Sequence, residues 1–360
     1  IAESSTSGAP TATWTFDGSW HKRVSGQGPS ARSGAAMAYD VAHHTSVLFG
    51  GGPRAAPLQE TWTFDGTTWQ QRTTTTKPPG RRFAAITYDE TRQKIVMFGG
   101  QGVGDSNFDD TWEFDGFDWR QVTTAARPPA QNSAAMAYDS RRRLVVLFAG
   151  DDSGATWTYD GANWQQLVTP TAPSPRRGAA MAFDQGSQNV VLFGGTNRNL
   201  VQLGDTWLFD GATWTEAISA GAPTPRLQSS LAYAGNLGGM LLFGGINLGY
   251  LADTWLFASS RSSTNADACA SVAYDTDHDG RVGCGPTAAA PTALPDPDCW
   301  SRCTPQCPPW TTATDATNMA SVAWPAACAI AHPGAAYCGD GTCNTAIEDY
   351  LLCPQDCVAP

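Results

Sequence analysis

Cysteine is missing from the first 268 of the 360 residues, and all ten cysteines fall between Cys269 and Cys357. That absence excludes a disulfide framework and thiolate metal chemistry from most of the chain. Charge is also scarce: Asp, Glu, Lys and Arg make up 15% of the residues, against about a quarter in ordinary globular domains. Basic residues are the scarcer sign, 22 against 33 acidic, for a formal net charge of −11. They are scattered, with 141–143 (RRR) the densest run, so no basic face for nucleic acid is expected. The acidity reads as solubility plus cation binding. No run of about 18 apolar residues is present, so no membrane-spanning helix is expected. Histidine occurs five times, and no GxSxG, HExxH or phosphate-loop motif is found. The chain opens on Ile1 with no signal peptide, which suits a processed mature form or a fragment of a longer chain, joined through an anchoring segment.

Glycine and proline are plentiful, 37 and 24, a mixture that suits short strands and tight turns. Trp14, Trp62, Trp112, Trp157, Trp207 and Trp255 recur at intervals of 48, 50, 45, 50 and 48 residues, each in a phrase close to TWTFDG. A period of that length built from short apolar strands marks a β-propeller. One unit reads through 82–119. RFAAITYDE alternates as a strand closed by Asp89, and KIVMFGG is a continuous apolar run, as a strand buried on both faces requires. TWEFDG leads into a turn at Asp115-Gly116, and FDWRQV is the outer strand.

The units resemble Kelch repeats of the kind found in bacterial extracellular proteins. The matching residues are the Gly-Gly pairs at 50–51, 99–100, 194–195 and 244–245, the degenerate Ala149-Gly150, and the tryptophan pairs 14/20, 62/69, 112/119, 157/164 and 207/214. The resemblance covers about residues 12–257 and implies an all-β propeller of four-stranded blades. The first TWTFDGSW has no strands before it, and 269–285 (CASVAYDTDHDGRVGCG) looks like a worn first strand pair. Six blades closed by both chain ends are therefore expected, since an open ring leaves bare strand edges; five blades with a separate Asp-rich module is the alternative. The oxidases with this repeat need a Cys–Tyr redox centre, and the missing cysteines exclude it here.

The strict periodicity of the tryptophans reads as packing between blades rather than as a row of glycan-stacking rings. Arg32, Arg81, Arg176 and Arg226 hold one position ahead of each blade, with Gln131 in the third. Such arginines either satisfy carbonyls or pair with a recurrent Asp of a neighbouring blade, or else form a ring that binds a carboxylate or sulfate. Function on a rigid scaffold concentrates in variable loops. Those following the Gly-Gly pairs offer Arg54, Phe108, Arg198 and Tyr250 as ligand contacts.

The C-terminal part reads differently. Asp275, Asp277 and Asp279, with Gly280 at the sixth position and Arg281 at the seventh, match the opening half of an EF-hand-like calcium loop. Pro286 stands where the bidentate Glu belongs, so Asp296 or Asp298 would complete the oxygen set. Residues 338–357 (CGDGTCNTAIEDYLLCPQDC) resemble the CGDGxC…CPxDC repeats that end secreted proteins of myxobacteria, and also Notch-type cysteine-rich repeats. That likeness implies disulfides, and calcium held by Asp340, Glu348, Asp349 and Asp356. Cys269, Cys284, Cys299, Cys303, Cys307, Cys328, Cys338, Cys343, Cys353 and Cys357 are an even set in a short stretch, which points to an oxidising compartment. Trp300, Trp310 and Trp324 lie outside the repeat pattern in irregular chain.

The sequence thus predicts a linker at 1–12, a propeller over 13–285, and a disulfide-rich, calcium-binding extension over 286–360. Its expected role is a secreted or cell-surface, non-catalytic scaffold that binds a protein or glycan or builds an extracellular assembly, copies of itself included. The alternative is a secreted polysaccharide-acting hydrolase or lyase using acidic loop residues.

Overall fold

The computed structural model describes residues 12–23, 28–217 and 222–258, and the backbone of 310–312. The chain opens with a two-stranded hairpin, β1 (Thr13–Phe16) and β2 (Trp20–Arg23), and then builds four-stranded antiparallel sheets. Blade one is β3 (Ala36–Asp40), β4 (Thr45–Phe49), β5 (Thr61–Phe64) and β6 (Trp69–Arg72). Blade two is β7 (Ala85–Asp89), β8 (Lys94–Phe98), β9 (Thr111–Phe114) and β10 (Trp119–Val122). Blade three is β11 (Ala135–Asp139), β12 (Leu144–Phe148), β13 (Thr156–Tyr159) and β14 (Trp164–Leu167). Blade four is β15 (Ala180–Asp184), β16 (Asn189–Phe193), β17 (Thr206–Phe209) and β18 (Trp214–Ala217). Blade five joins β19 (Ser230–Ala234), β20 (Gly239–Phe243) and β21 (Thr254–Ala258) to β22 (Trp310–Thr312).

The second strand of each blade is mainly apolar, most fully in blades two to four, where both of its faces are covered. Ile95, Val96, Met97 and Phe98 of β8 are all buried, as are Val145 to Phe148 of β12 and Val190 to Phe193 of β16. The core is accordingly divided into seams. Val47, Phe49, Ile95 and Met97 meet between blades one and two, and Val146, Phe148, Val190 and Leu192 between blades three and four. The first strands pack in series, β3 on β7, β7 on β11, β11 on β15 and β15 on β19.

The tryptophans of the outer strands lock this series. Trp119, Trp164 and Trp214 are buried, and each donates its indole N–H to a threonine of the preceding blade: Thr61 at 2.9 Å, Thr111 at 2.8 Å and Thr156 at 2.9 Å. Each also lies edge-on to a phenylalanine of that blade, as Trp119 does to Phe49 with centroids 5.2 Å apart. The periodicity is therefore packing, as the sequence indicated.

The hairpin joins the same system. Trp20 donates to Thr254 of blade five at 3.1 Å and packs on Phe243, and Trp69 of blade one donates to Thr13 at 2.7 Å. It thus sits between blades five and one. The count is five complete blades rather than the six expected: the hairpin contributes two strands, and among the described residues no further strand pairs with β1. The segment 269–285, expected to supply those strands, lies outside the described residues. A second correction concerns Trp310. Placed by sequence outside the repeat pattern, it pairs with Phe257 in the register of Trp214 with Phe209 and Trp69 with Phe64.

Candidate functional site

Each second strand ends in the Gly-Gly pair, or in Ala149-Gly150 in blade three, which turns the chain into the loop leading to the third strand. Gly99 adopts φ 64°, and a Cβ there would lie 2.6 Å from the Gln131 carbonyl oxygen. Only glycine admits so close an approach of the next blade. The second glycine then anchors that blade: Gly51 donates to the Arg81 carbonyl, Gly100 to Gln131 and Gly195 to Arg226. These loops and the links between blades therefore share one face.

Beneath that face lies a repeated triad of arginine, carboxylate and tryptophan. Arg81 pairs bidentately with Asp110 at 2.6 and 2.9 Å, and Asp110 accepts the Trp112 indole N–H at 2.7 Å. Arg176, Asp205 and Trp207 repeat it, as do Arg226, Asp253 and Trp255, while blade one uses Arg32, Glu60 and Trp62. The guanidinium groups of Arg176 and Arg226 donate all five N–H bonds within their own blades, the remainder going to Ser174 or Thr224 and to the carbonyls of Gly194 or Gly244. The Arg81, Arg176 and Arg226 side chains are 0% exposed. The four arginines predicted as ligand contacts are thus paired with carboxylates, each in its own blade rather than a neighbouring one. Burial works to raise the Asp205 carboxyl, but the Arg176 hydrogen bonds and charge, with the Trp207 indole, outweigh it and hold the group below the usual carboxylate range. For Asp253 the Arg226 hydrogen bond is the largest cause of the same lowering.

Blade three breaks the pattern. Gln131 replaces the arginine and Ala155 the carboxylate, and the buried Trp157 indole N–H has no acceptor. Gln131 instead accepts from the Gly150 amide at 2.6 Å.

Above the triads the loops differ from blade to blade. Arg54 of blade one pairs with Asp105 of blade two. Phe108 is half-buried under the Arg81 guanidinium, 4.1 Å from ring centroid to Cζ, and so helps hold the scaffold. Arg198 and Tyr250 are exposed. The sequence reading missed their apolar neighbours. Leu200, Val201 and Val103 are 77%, 55% and 66% exposed, and Leu248 is fully exposed. Leu200 and Leu248 also sit at φ 59° and 53°, a conformation in which a leucine is uncommon and an asparagine or glycine is at ease. The available signal was leucine embedded in polar loops, at 196–202 (TNRNLVQ) and 246–250 (INLGY).

Towards the ring axis the face carries a collar. Gly34, Phe83, Ser133, Gly178 and Gln228 share one repeat position and all have φ between 55° and 69°. Each passes a backbone hydrogen bond to the previous one: Phe83 to Gly34 at 2.7 Å, Ser133 to Phe83 at 2.9 Å, Gly178 to Ser133 at 2.8 Å and Gln228 to Gly178 at 2.7 Å. The residues just before the collar are Ser33, Arg82, Asn132, Arg177 and Leu227. Among the described residues no group of three or more His, Cys, Asp or Glu side chains is placed to hold a metal ion. The calcium candidates Asp275, Asp277, Asp279, Arg281, Asp296, Asp298, Asp340, Glu348, Asp349 and Asp356, the ten cysteines, and Trp300 and Trp324 lie outside the described residues.

No curated protein matches the sequence. Residues 12–160 match a family model described as the KLHDC2/KLHL20/DRC7 Kelch-repeats domain. A solved structure titled "Structure of YjhT" superposes with a TM-score of 0.54 at 14% identity, covering 67% of this chain and 85% of that one, a likeness of fold alone. Residues 12–160 are therefore similar to Kelch-repeat domains, and the described chain as a whole is a β-propeller of four-stranded blades.

Proposed function

We propose that this propeller is a non-catalytic scaffold that binds a protein partner through the face carrying the Gly-Gly loops. The observation that carries the reading is the pair Leu200 and Leu248, on neighbouring blades, exposed and held in left-handed backbone. Each gives up burial of its side chain and accepts local strain, which a sequence selected for folding alone has no reason to keep. Tyr250, 88% exposed beside Leu248, adds the aromatic contact area typical of interface centres.

The test replaces Leu200 and Leu248 by Asn and Tyr250 by Ser. Asparagine tolerates φ near 55° at least as well as leucine, so thermal stability is expected to be unchanged or slightly higher. Affinity capture from the native source, quantified against wild type, is expected to lose its main bound protein. Equal capture by variant and wild type overturns the proposal.

The wider setting is part of the same reading. A scaffold exported to the cell surface or medium suits a thiol-free propeller joined to a segment in which all ten cysteines are gathered. Glycan binding and assembly with copies of itself are the other modes of use open to it. Calcium in the C-terminal segment rests on the alternating aspartates at 275–279. It predicts that the full chain takes up calcium in calorimetry after chelator treatment, and a flat titration removes it.

A further inference from the structure

Between blades five and one the rim and the axis of the ring do not match. At the rim, the indole-to-threonine bonds pass through the hairpin without a break, from Trp69 to Thr13 and from Trp20 to Thr254. Near the axis, the collar bonds run from Gly34 to Gln228, and among the described residues none joins Gln228 back to Gly34. The hairpin therefore holds a blade's place at the rim and leaves the inner half of that place without strands. Phe16 pairs with Trp20 as Phe64 pairs with Trp69, so β1 stands as β5 does. Its bare edge is the one that β4 covers in blade one.

The walls of this slot are apolar. In the filled seams, Met136 and Tyr138 of β11 pack on blade two, and Met181 and Phe183 of β15 on blade three, all buried. Met37 and Tyr39 hold the same positions on β3, yet are 60% and 50% exposed. On the other wall, Leu241 and Phe243 of β20 are half-buried at the positions of Val191 and Phe193, which are sealed. A bare strand edge between two apolar walls is a surface that further β-strands cover.

The path of the chain supplies an occupant. Residues 259–309 lie between β21 and β22, where each of the other four blades has a turn of four residues. Asp40, Asp89, Asp139 and Asp184 end the first strands, each ten residues before the residue that opens the Gly-Gly or Ala-Gly turn. Asp275 stands ten residues before Gly285, and 271–275 (SVAYD) matches 36–40 and 135–139 (AMAYD). Residues 259–270 can reach about 40 Å and 286–309 about 80 Å when extended. A five-residue strand is about 17 Å long, so both connections suffice to enter the slot and return to Trp310.

We propose that the slot between blades five and one is a docking site for residues 269–285 of the same chain, which add two strands to the bare edge of β1. Val272 and Tyr274, at the positions of Met136 and Tyr138, then face Leu241 and Phe243 of blade five. Ala273, at the position of Ala137, faces blade one. Cys269 falls at the collar position left open between Gln228 and Gly34. The docking lies between two blades and is independent of the partner-binding face.

The experiment reads hydrogen exchange by mass spectrometry on the full chain, with sedimentation and thermal melting alongside. In wild type, the amides of 271–275 are expected to exchange at least about tenfold more slowly than in the unfolded chain, in a monomer and at every protein concentration. Met37→Thr on the wall and Val272→Asp in the segment are each expected to lower Tm by about 3 °C or more. Each is also expected to speed exchange at 13–16 and 271–275 together. Val103→Ser, on the loop face, is the control expected to change neither. Unprotected 271–275 in wild type, or a Tm unmoved by Met37→Thr, overturns the proposal. Protection of 271–275 that appears only in a dimer assigns the slot to a second copy. Full protection of 13–16 without 271–275 assigns it to another strand. Either result overturns the assignment to this segment of the same chain.

Discussion

Blade three offers a direct measurement of what the triad contributes. Replacing Gln131 by Arg and Ala155 by Asp would install there the arrangement found in the other four blades. The backbone is prepared for it: Arg32, Arg81, Arg176 and Arg226 each donate to the carbonyl 18 residues ahead, and Thr156 pairs with Phe148 as Thr111 does with Phe98. Gln131→Arg alone removes the acceptor of the Gly150 amide and buries a guanidinium without a carboxylate. Such an unpaired buried charge costs about 3–5 kcal/mol. Ala155→Asp alone supplies the missing acceptor for the Trp157 indole but leaves a carboxylate without its cation. The equivalent Asp205 and Asp253 side chains are 23% and 35% exposed, so its penalty is smaller, about 1 kcal/mol. Together the two charges satisfy each other and the indole. A double-mutant cycle by urea unfolding should then show a favourable coupling of about 4–6 kcal/mol, with the double variant near wild type in stability. Additive effects, with coupling under about 0.5 kcal/mol, would refute the claim that the triad is a mutually dependent unit.

Thr61→Val should leave the Trp119 indole N–H buried and unpaired and destabilise by about 1–3 kcal/mol in chemical denaturation; an unchanged midpoint would show that the tryptophan–threonine link is incidental. Gly161→Ala should cost more than about 1 kcal/mol, because Gly161 sits at φ 100° with a Cβ position 2.6 Å from Arg92 Nε; thermal melting checks it. Acid should destabilise the fold through Glu60, Glu113, Asp205 and Asp253, whose carboxyls lie below their ordinary values. For such groups the stabilisation is present above the unfolded pKa and is lost as pH falls through the depressed folded one. Unfolding free energy should therefore hold from neutrality to about pH 5 and decline below about pH 4, and a flat profile down to pH 2 would contradict the ion-pair assignments.

Strand content was legible because each blade repeats the same physical problem. The second strand lies between two sheets and must be apolar on both faces, so it reads as KIVMF, LVVLF or NVVLF. The turn after TWTFDG is legible for a local reason: the aspartate caps two backbone amides ahead of it, as Asp65 does for Thr67 and Thr68 at 2.8 and 2.7 Å. The blade count was not legible from the repeats. Whether 13–23 stands beside a full set of strands depends on pairing between the chain ends, and strand pairing over 240 residues leaves no local mark. Trp310 shows the same limit: nothing beside it resembles the repeat phrase, yet its backbone takes the tryptophan register of blade five.

By itself the sequence determined the period, the strand order within a blade and the packing role of the tryptophans, since all three follow from local alternation and turn chemistry. Only the tertiary structure decided what each arginine meets. Arg81 and Arg82 are adjacent and chemically identical, but the strand-to-loop turn directs one side chain into its blade onto Asp110 and leaves the other over Phe83 with an unmet donor. That difference is set by where Asp110, 29 residues away, returns in space, and no local pattern encodes it.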